Sequence, residues 1–344
     1  MSTPKTQVAT SSEAVAVATG GAPPAARTRR IPPSVGAFFQ RYGVLIAFAV
    51  IILFFSLEKP HSFPTISNLQ AVLSGAAALA VMAAVLTVPM IMGDFDLSVG
   101  FNVQLLGAIA VTLMAFDGFS TVGSIGVTLV IGAAIGLILG SLIAWSKVSA
   151  FVITLGAGIL LQGIELRITG GKTIFEGLQP SYVSLASHKL LGFTLPVWIA
   201  LAVTLLLWYV TRHTVLGRYM AAVGGNQEAA RLSGISVERM RTAGFVIVGV
   251  GAVIAGVIVT SQAASAYPNS ASGLLIPAYA GVFLGAAVLR PGEFHIWGTL
   301  IGVLFMSIIQ NGLTLMNYSA STTNIIQGCV FIAAVLMSRI GNRR

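Results

Sequence analysis

Charged residues are scarce in this chain of 344 residues, since Asp, Glu, Lys and Arg together make up only 8% of it. Apolar residues make up 56%, and the mean hydropathy is +0.91. A chain of this length cannot hide so much apolar surface in one water-soluble core. The scarcity of charge therefore excludes an ordinary soluble protein and indicates a membrane protein. Cysteine is also nearly absent: Cys329 is the only one, so no disulfide can form within the chain.

Long apolar runs account for most of the sequence. A helix needs about 20 mostly apolar residues to cross the hydrocarbon core of a bilayer. Ten runs approach that length and predict an all-α polytopic membrane protein with about ten transmembrane helices. The run 276–289 is short and the run 97–115 starts on polar residues, so we expect these two helices to be broken, tilted or buried among the others. The ten runs are residues 43–57, 69–92, 97–115, 122–145, 150–168, 193–211, 243–264, 276–289, 296–316 and 322–338.

The basic residues predict the orientation of these helices, because Lys and Arg near a membrane stay on its cytoplasmic side. With the N-terminus inside and ten crossings, the cytoplasmic segments hold 15 of the 19 Lys and Arg residues, and the outer segments hold 4. Both termini are then cytoplasmic, residues 1–37 form a disordered tail and residues 38–340 form the transmembrane domain. The same distribution explains the net charge of +9. We therefore expect membrane lipid as a partner and no nucleic acid.

Groups that could supply energy or catalysis are lacking too. The sequence nearest to a phosphate-binding loop is RITGGKTIF, residues 167–175, which has Leu166 where such a loop needs glycine. Ionisable residues within the apolar runs, on which ion-driven carriers depend, are nearly absent. No histidine has a partner at metal-ligand spacing and no nucleophile is paired with a base, so we expect neither a metal site nor an enzyme. Any uphill transport would draw its energy from a separate polypeptide.

A polar island interrupts the apolar runs at residues 212–241, which form the longest predicted cytoplasmic loop. Asn226 is a suitable N-cap for a short helix, and Gly234 is suited to end it. Ser236 can open a second short helix that carries Glu238 and Arg241. A short helix on the cytoplasmic surface could receive force from a soluble motor protein. The alternative is a solvated loop that only follows the positive-inside rule.

The stretch GRYMAAVGGNQEAARLSGISVERMR, residues 217–241, resembles the coupling loop of permease subunits of bacterial ATP-binding-cassette (ABC) importers. The resemblance is to the ribose, xylose and galactose branch, which is related to the branched-chain amino-acid permeases. It implies that residues 226–235 insert into a groove of a separate ATPase subunit, which holds ATP and Mg, while this chain binds no cofactor. The residues implied in coupling are Gly224, Gly225, Asn226, Glu228, Ala229, Ala230, Arg231, Leu232, Ser233 and Gly234.

The stretch MGDFDLSVG, residues 92–100, resembles a second element of the same family, Gly-Gly-Ile-Asp-Leu-Ser-Val-Gly. Asp96 matches and is either the N-cap of the third helix or a substrate contact. Asp94 stands where the family usually has glycine, and Phe95 replaces its isoleucine. In the later stretch 272–302 the family's acidic residue is missing, and Arg290, Pro291, Glu293 and His295 occupy a turn that usually reads Gly-Gly-Thr-Ser. These departures predict a sugar or polyol other than the ribose type.

Polar side chains near or within the apolar runs are the candidates for contact with a neutral, polyhydroxylated solute. The alternative for each is an interhelical hydrogen bond, or for Asp96 a helix cap. The candidates are Asp94, Asp96, Asn102, Gln104, Gln162, Gln262, Gln310 and Asn311. Separately, three glycines spaced by four residues, Gly132, Gly136 and Gly140, predict close approach of a neighbouring helix.

The sequence thus predicts the permease subunit of an ABC importer in a bacterial inner membrane, which moves a sugar or polyol inward by alternating access. Its expected partners are an ABC ATPase, an extracytoplasmic solute-binding protein and a second permease, either a copy or a homologue. Branched-chain amino acids, nucleosides and a signalling sugar are alternative solutes. A stand-alone ion-coupled carrier and a structural membrane anchor are alternatives of other classes.

Overall fold

A computed structural model describes residues 35–288 and 292–341. Within these ranges the chain is helical apart from loops, a 3₁₀ turn at Ser272–Leu274 and a hairpin of two-residue strands, β1 (Lys189–Leu190) and β2 (Phe193–Thr194). The helices are α1 (Val35–Glu58), α2 (Ile66–Ile91), α3 (Val99–Ala115), α4 (Thr121–Ser146), α5 (Ala150–Thr169), α6 (Pro180–Ser187), α7 (Leu195–His213), α8 (Val215–Gly225), α9 (Gln227–Leu232), α10 (Val237–Ala263), α11 (Leu275–Ala287), α12 (Ile296–Leu315) and α13 (Ala320–Gly341).

Each of the ten predicted apolar runs lies on one of these helices. Among the described residues, six helices are long and apolar enough to cross a membrane, and four further apolar stretches of 10–17 residues lie on α1, α3, α11 and α13. The chain is therefore an all-α polytopic membrane protein. Of the predicted tail, residues 1–34 lie outside the described residues, whereas residues 35–37 already belong to α1. Arg290 and Pro291 of the altered turn also lie outside the described residues.

Burial separates the central helices from the peripheral ones. The most apolar window of α2 is 78% buried within the chain and that of α10 is 61% buried, whereas those of α5 and α7 are only 22% buried. The largest group of buried side chains comes mainly from α2, α3, α10 and α11. In a membrane, the apolar outer faces of the peripheral helices are compatible with lipid or with another subunit.

The three glycines of α4 let α10 approach at backbone distance. A Cβ atom placed on Gly140 would lie 2.7 Å from the Cα of Thr242, and one on Gly132 would lie 2.7 Å from the carbonyl oxygen of Gly249. A Cβ on Gly136 would collide with the backbone of Phe245. The predicted helix packing is confirmed, and the partner is a helix of the same chain.

The helices α3 and α11 begin inside the bundle rather than at its ends. At about 1.5 Å per residue they are about 25 and 20 Å long, less than the roughly 30 Å of a hydrocarbon core. A Cβ on Gly100, in the first turn of α3, would lie 3.7 Å from Met82, nine residues before the end of α2. It would also lie 3.5 Å from the Cβ of Leu275, where α11 starts. Residues 92–98 therefore turn back into the bundle, and the N-termini of two short helices meet there.

Candidate functional site

Residues 212–241, the segment that the resemblance implies in coupling and that is called the coupling segment below, are helical over most of their length. The side chain of Asn226 accepts a hydrogen bond of 3.0 Å from the backbone N–H of Ala229 and so caps α9. Gly234, with φ +82°, follows the end of α9 in the left-handed conformation that glycine adopts without strain. Both sequence predictions are confirmed. On α9 Ala230 is buried, whereas Leu232 is 84% exposed, which leaves an apolar side chain facing outward.

One detail of the predicted loop was wrong. Ser236 does not open a second short helix, because it precedes α10, which runs without interruption to Ala263. Gly224 and Gly225 belong to α8, and Asn226, in extended conformation, separates α8 from α9. The sequence from 237 to 263 contains no proline, so nothing ends the helix where the polar island meets the apolar run. Glu238 and Arg241 therefore lie in the first turns of a membrane-spanning helix.

The coupling segment packs against the C-terminal end of α2. A Cβ on Gly224 would collide with the carbonyl group of Ile91, so α8 touches the last residue of α2. Met220 and Val223 of α8 are buried in one apolar group with Val88 of α2. By contrast, nothing lies within 4 Å of a Cβ on Gly225. One side of the segment is thus packed against the bundle, while the space around Gly225, the last residue of α8, is open.

Two ion pairs hold the start of α10. At the surface, the guanidinium of Arg231 on α9 donates to the carboxylate of Glu238 at 2.6 Å, with the two side chains 54% and 39% exposed. Inside, Arg241 donates two hydrogen bonds, of 2.6 and 2.7 Å, to the two carboxylate oxygens of Asp94. The same guanidinium reaches the carbonyl oxygen of Ile143, near the end of α4, at 3.4 Å. Arg241 therefore joins α10, α4 and the segment 92–98.

Asp94 and Asp96 have different partners. Asp96 lies two residues before the N-cap position of α3, which Ser98 occupies. One carboxylate oxygen of Asp96, Oδ1, accepts from the backbone N–H of Ser98 at 2.8 Å and from its hydroxyl at 2.5 Å. The predicted N-cap position was therefore wrong by two residues, although the carboxylate does accept a backbone N–H where α3 begins. The second oxygen, Oδ2, is buried without a hydrogen-bond partner.

Five of the six amide candidates are hydrogen-bonded, and each of the five has a different partner. The six side chains therefore do not share one network of hydrogen bonds. Asn102 is 1% exposed, and its carbonyl oxygen has no partner. The pairs are Gln104 with Glu165 at 3.1 Å, Gln162 with Asn269 at 2.9 Å, Gln262 with the carbonyl of Ser74 at 2.9 Å, Gln310 with Gln327 at 3.2 Å, and Asn311 with Asn68 at 2.9 Å. These bonds link helices to one another or to a loop, as the alternative reading of the amides expects. A contact of any of them with solute stays a prediction.

An aromatic groove beside Asp96 was not predicted. Phe95, Tyr279 and Phe283 lie with their ring centroids 6.2 to 6.4 Å apart and their planes 24 to 30° from parallel. They line a groove of about 480 Å³ that also contacts Phe151 and the α13 residue Phe331. The spacing of Tyr279 and Phe283 by four residues would place both on one face of a helix, but no local pattern joins them to Phe95.

One residue of the altered turn, His295, stabilises the start of α12. The ring nitrogen Nδ1 of His295 accepts a hydrogen bond of 2.8 Å from the backbone N–H of Gly298 and thereby caps α12. The other ring nitrogen lies 3.1 Å from the carbonyl oxygen of Val288. Within the described part of the chain, no three His, Cys, Asp or Glu side chains lie close enough together to hold a metal ion.

Comparison with known proteins gives a consistent result. Residues 68–335 match the family described as branched-chain amino acid transport system / permease component. The chain is 36% identical to the ribose import permease protein of Escherichia coli (strain K12), over 88% of this chain and 94% of that protein. It is 30% identical to the D-allose transport system permease protein of the same organism, over 90% and 94%. It is 29% identical to the L-arabinose ABC transporter permease protein of Azospirillum brasilense, over 89% of each. No solved structure matches.

Proposed function

Because the chain belongs to the branched-chain amino acid transport system permease component family, we propose that it carries a neutral sugar across the bacterial inner membrane as the permease subunit of an ABC importer. The relatives named above transport ribose, D-allose and L-arabinose, which favours a sugar over an amino acid or a nucleoside. The chain is a transport subunit and not an enzyme. Its partners are an ATPase subunit and a solute-binding protein, and ATP and Mg bind on the ATPase.

The finer architecture is part of the same proposal. Ten helices cross the membrane with both termini in the cytoplasm, as the 15 to 4 distribution of basic residues favours. A second permease, either another copy or a homologue, completes the pathway, and lipid covers the remaining apolar faces. The little-buried helices α4 and α5 offer a large apolar surface for these contacts.

The observation that supports the coupling mechanism is the position of α9. One face of α9 is exposed, and the helices before and after it are anchored to the bundle. Its exposed face, with Leu232 and Glu228, is available to an ATPase subunit. Its neighbours α8 and α10 are anchored to the end of α2 and to Asp94. Movement of α9 by ATP-driven closure of the ATPase is passed through these contacts to residues 92–98, inside the bundle. That displacement drives alternating access.

Substitution of Gly225 by Trp tests this assignment. A side chain at Gly225 meets nothing within 4 Å of its Cβ, so the substitution leaves the fold of this chain intact. It would nevertheless fill the space in which the ATPase docks. We expect the level of inserted permease to be normal, while uptake of the solute and recovery of the ATPase in a mild-detergent pull-down are both lost.

Glu228→Lys adds a second test of the same surface. The matched control is Glu176→Lys, which makes the same charge change at an exposed position of the opposite predicted side. We expect Glu228→Lys to abolish uptake and Glu176→Lys to retain it. Unchanged uptake in both Gly225→Trp and Glu228→Lys would exclude the coupling role of α9. Uptake by the chain without an ATPase, abolished by an ionophore, would instead support an ion-coupled carrier.

A further inference from the structure

A groove, called the α4–α10 groove below, runs along the contact between α4 and α10. The two helices lie at backbone distance there, since a Cβ atom on Gly140 of α4 would lie 2.7 Å from the Cα of Thr242 of α10. The groove has a volume of about 780 Å³, and its wall comes from both helices and from Leu216 of α8. With the orientation proposed above, it lies at the cytoplasmic end of the two helices and includes residues of the coupling segment.

The polarity of the wall changes in one direction along the groove. Ser236 and Arg239 line the end at the start of α10, whereas Val246 and Ile247 line the groove further along that helix. Because a helix rises by about 1.5 Å per residue, residues 236 and 247 are about 16 Å apart along its axis, roughly half of a hydrocarbon core of about 30 Å. At the polar end, the exposed ring of Trp145 adds a residue type typical of membrane–water interfaces. The groove therefore passes from a polar to an apolar wall over about the thickness of one leaflet.

Three hydroxyl groups in the wall are available to a ligand. Ser141, Ser236 and Thr242 line the groove, and their side chains donate no hydrogen bond within the part of the chain that the structure describes. Other threonines of the apolar helices instead donate to the carbonyl oxygen four residues earlier in their own helix. Those threonines include Thr87, Thr128, Thr154, Thr204, Thr211 and Thr260. Hydroxyl donors that remain open at the edge of the membrane favour a ligand with hydrogen-bond acceptors.

Arg239 gives the polar end of the groove a positive charge that the rest of the wall does not balance. Glu238, the only carboxylate among the described residues of the wall, is already paired with Arg231 at 2.6 Å. Arg239 is exposed and forms no ion pair with any residue that the structure describes. Lys147, at the end of α4, adds a second exposed cation near Trp145. A guanidinium together with hydroxyl donors is a donor set that binds phosphate groups, and basic pockets between helices bind lipid headgroups in this way.

We propose that the α4–α10 groove binds one anionic phospholipid of the inner leaflet. The phosphate group is bound by Arg239 and by the hydroxyls of Ser236 and Thr242, and one acyl chain lies along Val246 and Ile247. A soluble solute would leave the apolar half of the groove in contact with water, and a fully apolar occupant would leave the donors of the polar half unpaired. The assignment to the inner leaflet rests on the orientation proposed above. Because the site includes the start of α10, the bound lipid stabilises the contact between the coupling segment and α4.

The test is native mass spectrometry of the purified full chain, which is freed of lipid and then titrated with phosphatidylglycerol. Phosphatidylcholine with the same acyl chains is the zwitterionic probe, and glycerol 3-phosphate is the probe for a free phosphate ester. We expect one phosphatidylglycerol to bind with a saturable Kd, about fivefold tighter than phosphatidylcholine, because one uncompensated cation near a membrane contributes about 1 kcal/mol toward an anionic lipid. A large excess of glycerol 3-phosphate should not displace it.

Two substitutions locate the site. Arg239→Gln removes the charge and should weaken phosphatidylglycerol binding about tenfold, whereas Thr242→Val removes one hydroxyl and should weaken it about threefold. The controls Arg167→Gln and Thr314→Val make the same changes at exposed residues outside the groove. Both controls should bind phosphatidylglycerol as the unchanged protein does.

Three results would overturn the site. One is equal binding by Arg239→Gln, Thr242→Val and their controls, and another is displacement by glycerol 3-phosphate, which would make the groove a site for a soluble phosphate ester. The third is loss of the Arg239-dependent lipid when the complete importer is assembled, which would show that a partner subunit fills the groove. Sugar uptake by the same complex separates these failures from failure of the proposed function: an importer that transports without the bound lipid refutes only the lipid site.

Discussion

Replacing Asp94 by Asn would leave the guanidinium of Arg241 buried without its counter-charge. The side chains of Asp94 and Arg241 are 7% and 13% exposed, so solvent screens the pair little. The remaining hydrogen bond of Arg241, to the carbonyl of Ile143, is 3.4 Å long. Removal of one partner from a buried ion pair costs about 3–5 kcal/mol. Because Asn can still accept one hydrogen bond, we expect Asp94→Asn to lower the free energy of unfolding by about 3 kcal/mol.

A matched control is available in the exposed pair Arg231–Glu238. Its side chains are 54% and 39% exposed, and exposed pairs contribute only about 0–1 kcal/mol. Glu238→Gln should therefore change the free energy of unfolding by less than about 1 kcal/mol. The double substitution Asp94→Asn with Arg241→Met removes both charges, and should recover about 2 kcal/mol of the loss caused by Asp94→Asn.

The assay is equilibrium unfolding of the purified chain in mixed micelles by titration with a denaturing detergent. The same variants are then measured for sugar uptake per ATP hydrolysed in proteoliposomes that contain the complete importer. We expect Asp94→Asn to reduce uptake more than ATP hydrolysis, because the ATPase can still move α9 while residues 92–98 no longer follow. The reasoning would be refuted if the Asp94→Asn variant were as stable as the Glu238→Gln variant and took up as much sugar per ATP hydrolysed as that control does.

Three further substitutions test other parts of the structure. Asn226→Ala removes the cap of α9, at a cost of about 1 kcal/mol, and should reduce uptake without loss of inserted protein; full uptake would contradict a need for an ordered α9. Gly136→Leu should prevent folding, measured as monodisperse protein after gel filtration, because its side chain would collide with the backbone of α10, whereas Gly126→Leu meets open space and should fold. His295→Ala should cost about 1 kcal/mol in the same detergent titration through loss of the α12 cap, and Asn at that position should restore most of it; equal stability of the two variants would refute the cap.

Several features could be predicted from the sequence because they depend on residues close together in the chain. The ten apolar runs predict helices, since each run is itself long enough to form one. The cap at Asn226 and the stop at Gly234 depend on backbone groups within three or four residues. The resemblance in residues 217–241 predicted the family for the same reason, because its spaced glycines lie in one short stretch.

Other features depend on contacts between residues far apart in the chain, and local patterns could not predict them. The continuity of α10 could not be read at residue 236, because a suitable N-cap residue occurs there whether the following helix is short or long. The six intramembrane amides look alike in the sequence, and only their different partners in space distinguish a helix contact from an open site. The sequence also did not show which helix packs against the glycines of α4, since close approach of any helix would require the same spacing.

The sequence by itself determined the class of this protein, its helices and the family to which it belongs, because hydrophobic run length and short motifs are properties of neighbouring residues. Only the tertiary structure decided that Asp94 pairs with Arg241, 147 positions away, and that Phe95 meets Tyr279 in a groove beside Asp96. The physical reason is that charge pairing and ring packing act over a few ångströms in space. Which distant residues come within that range is determined by how the helices pack together.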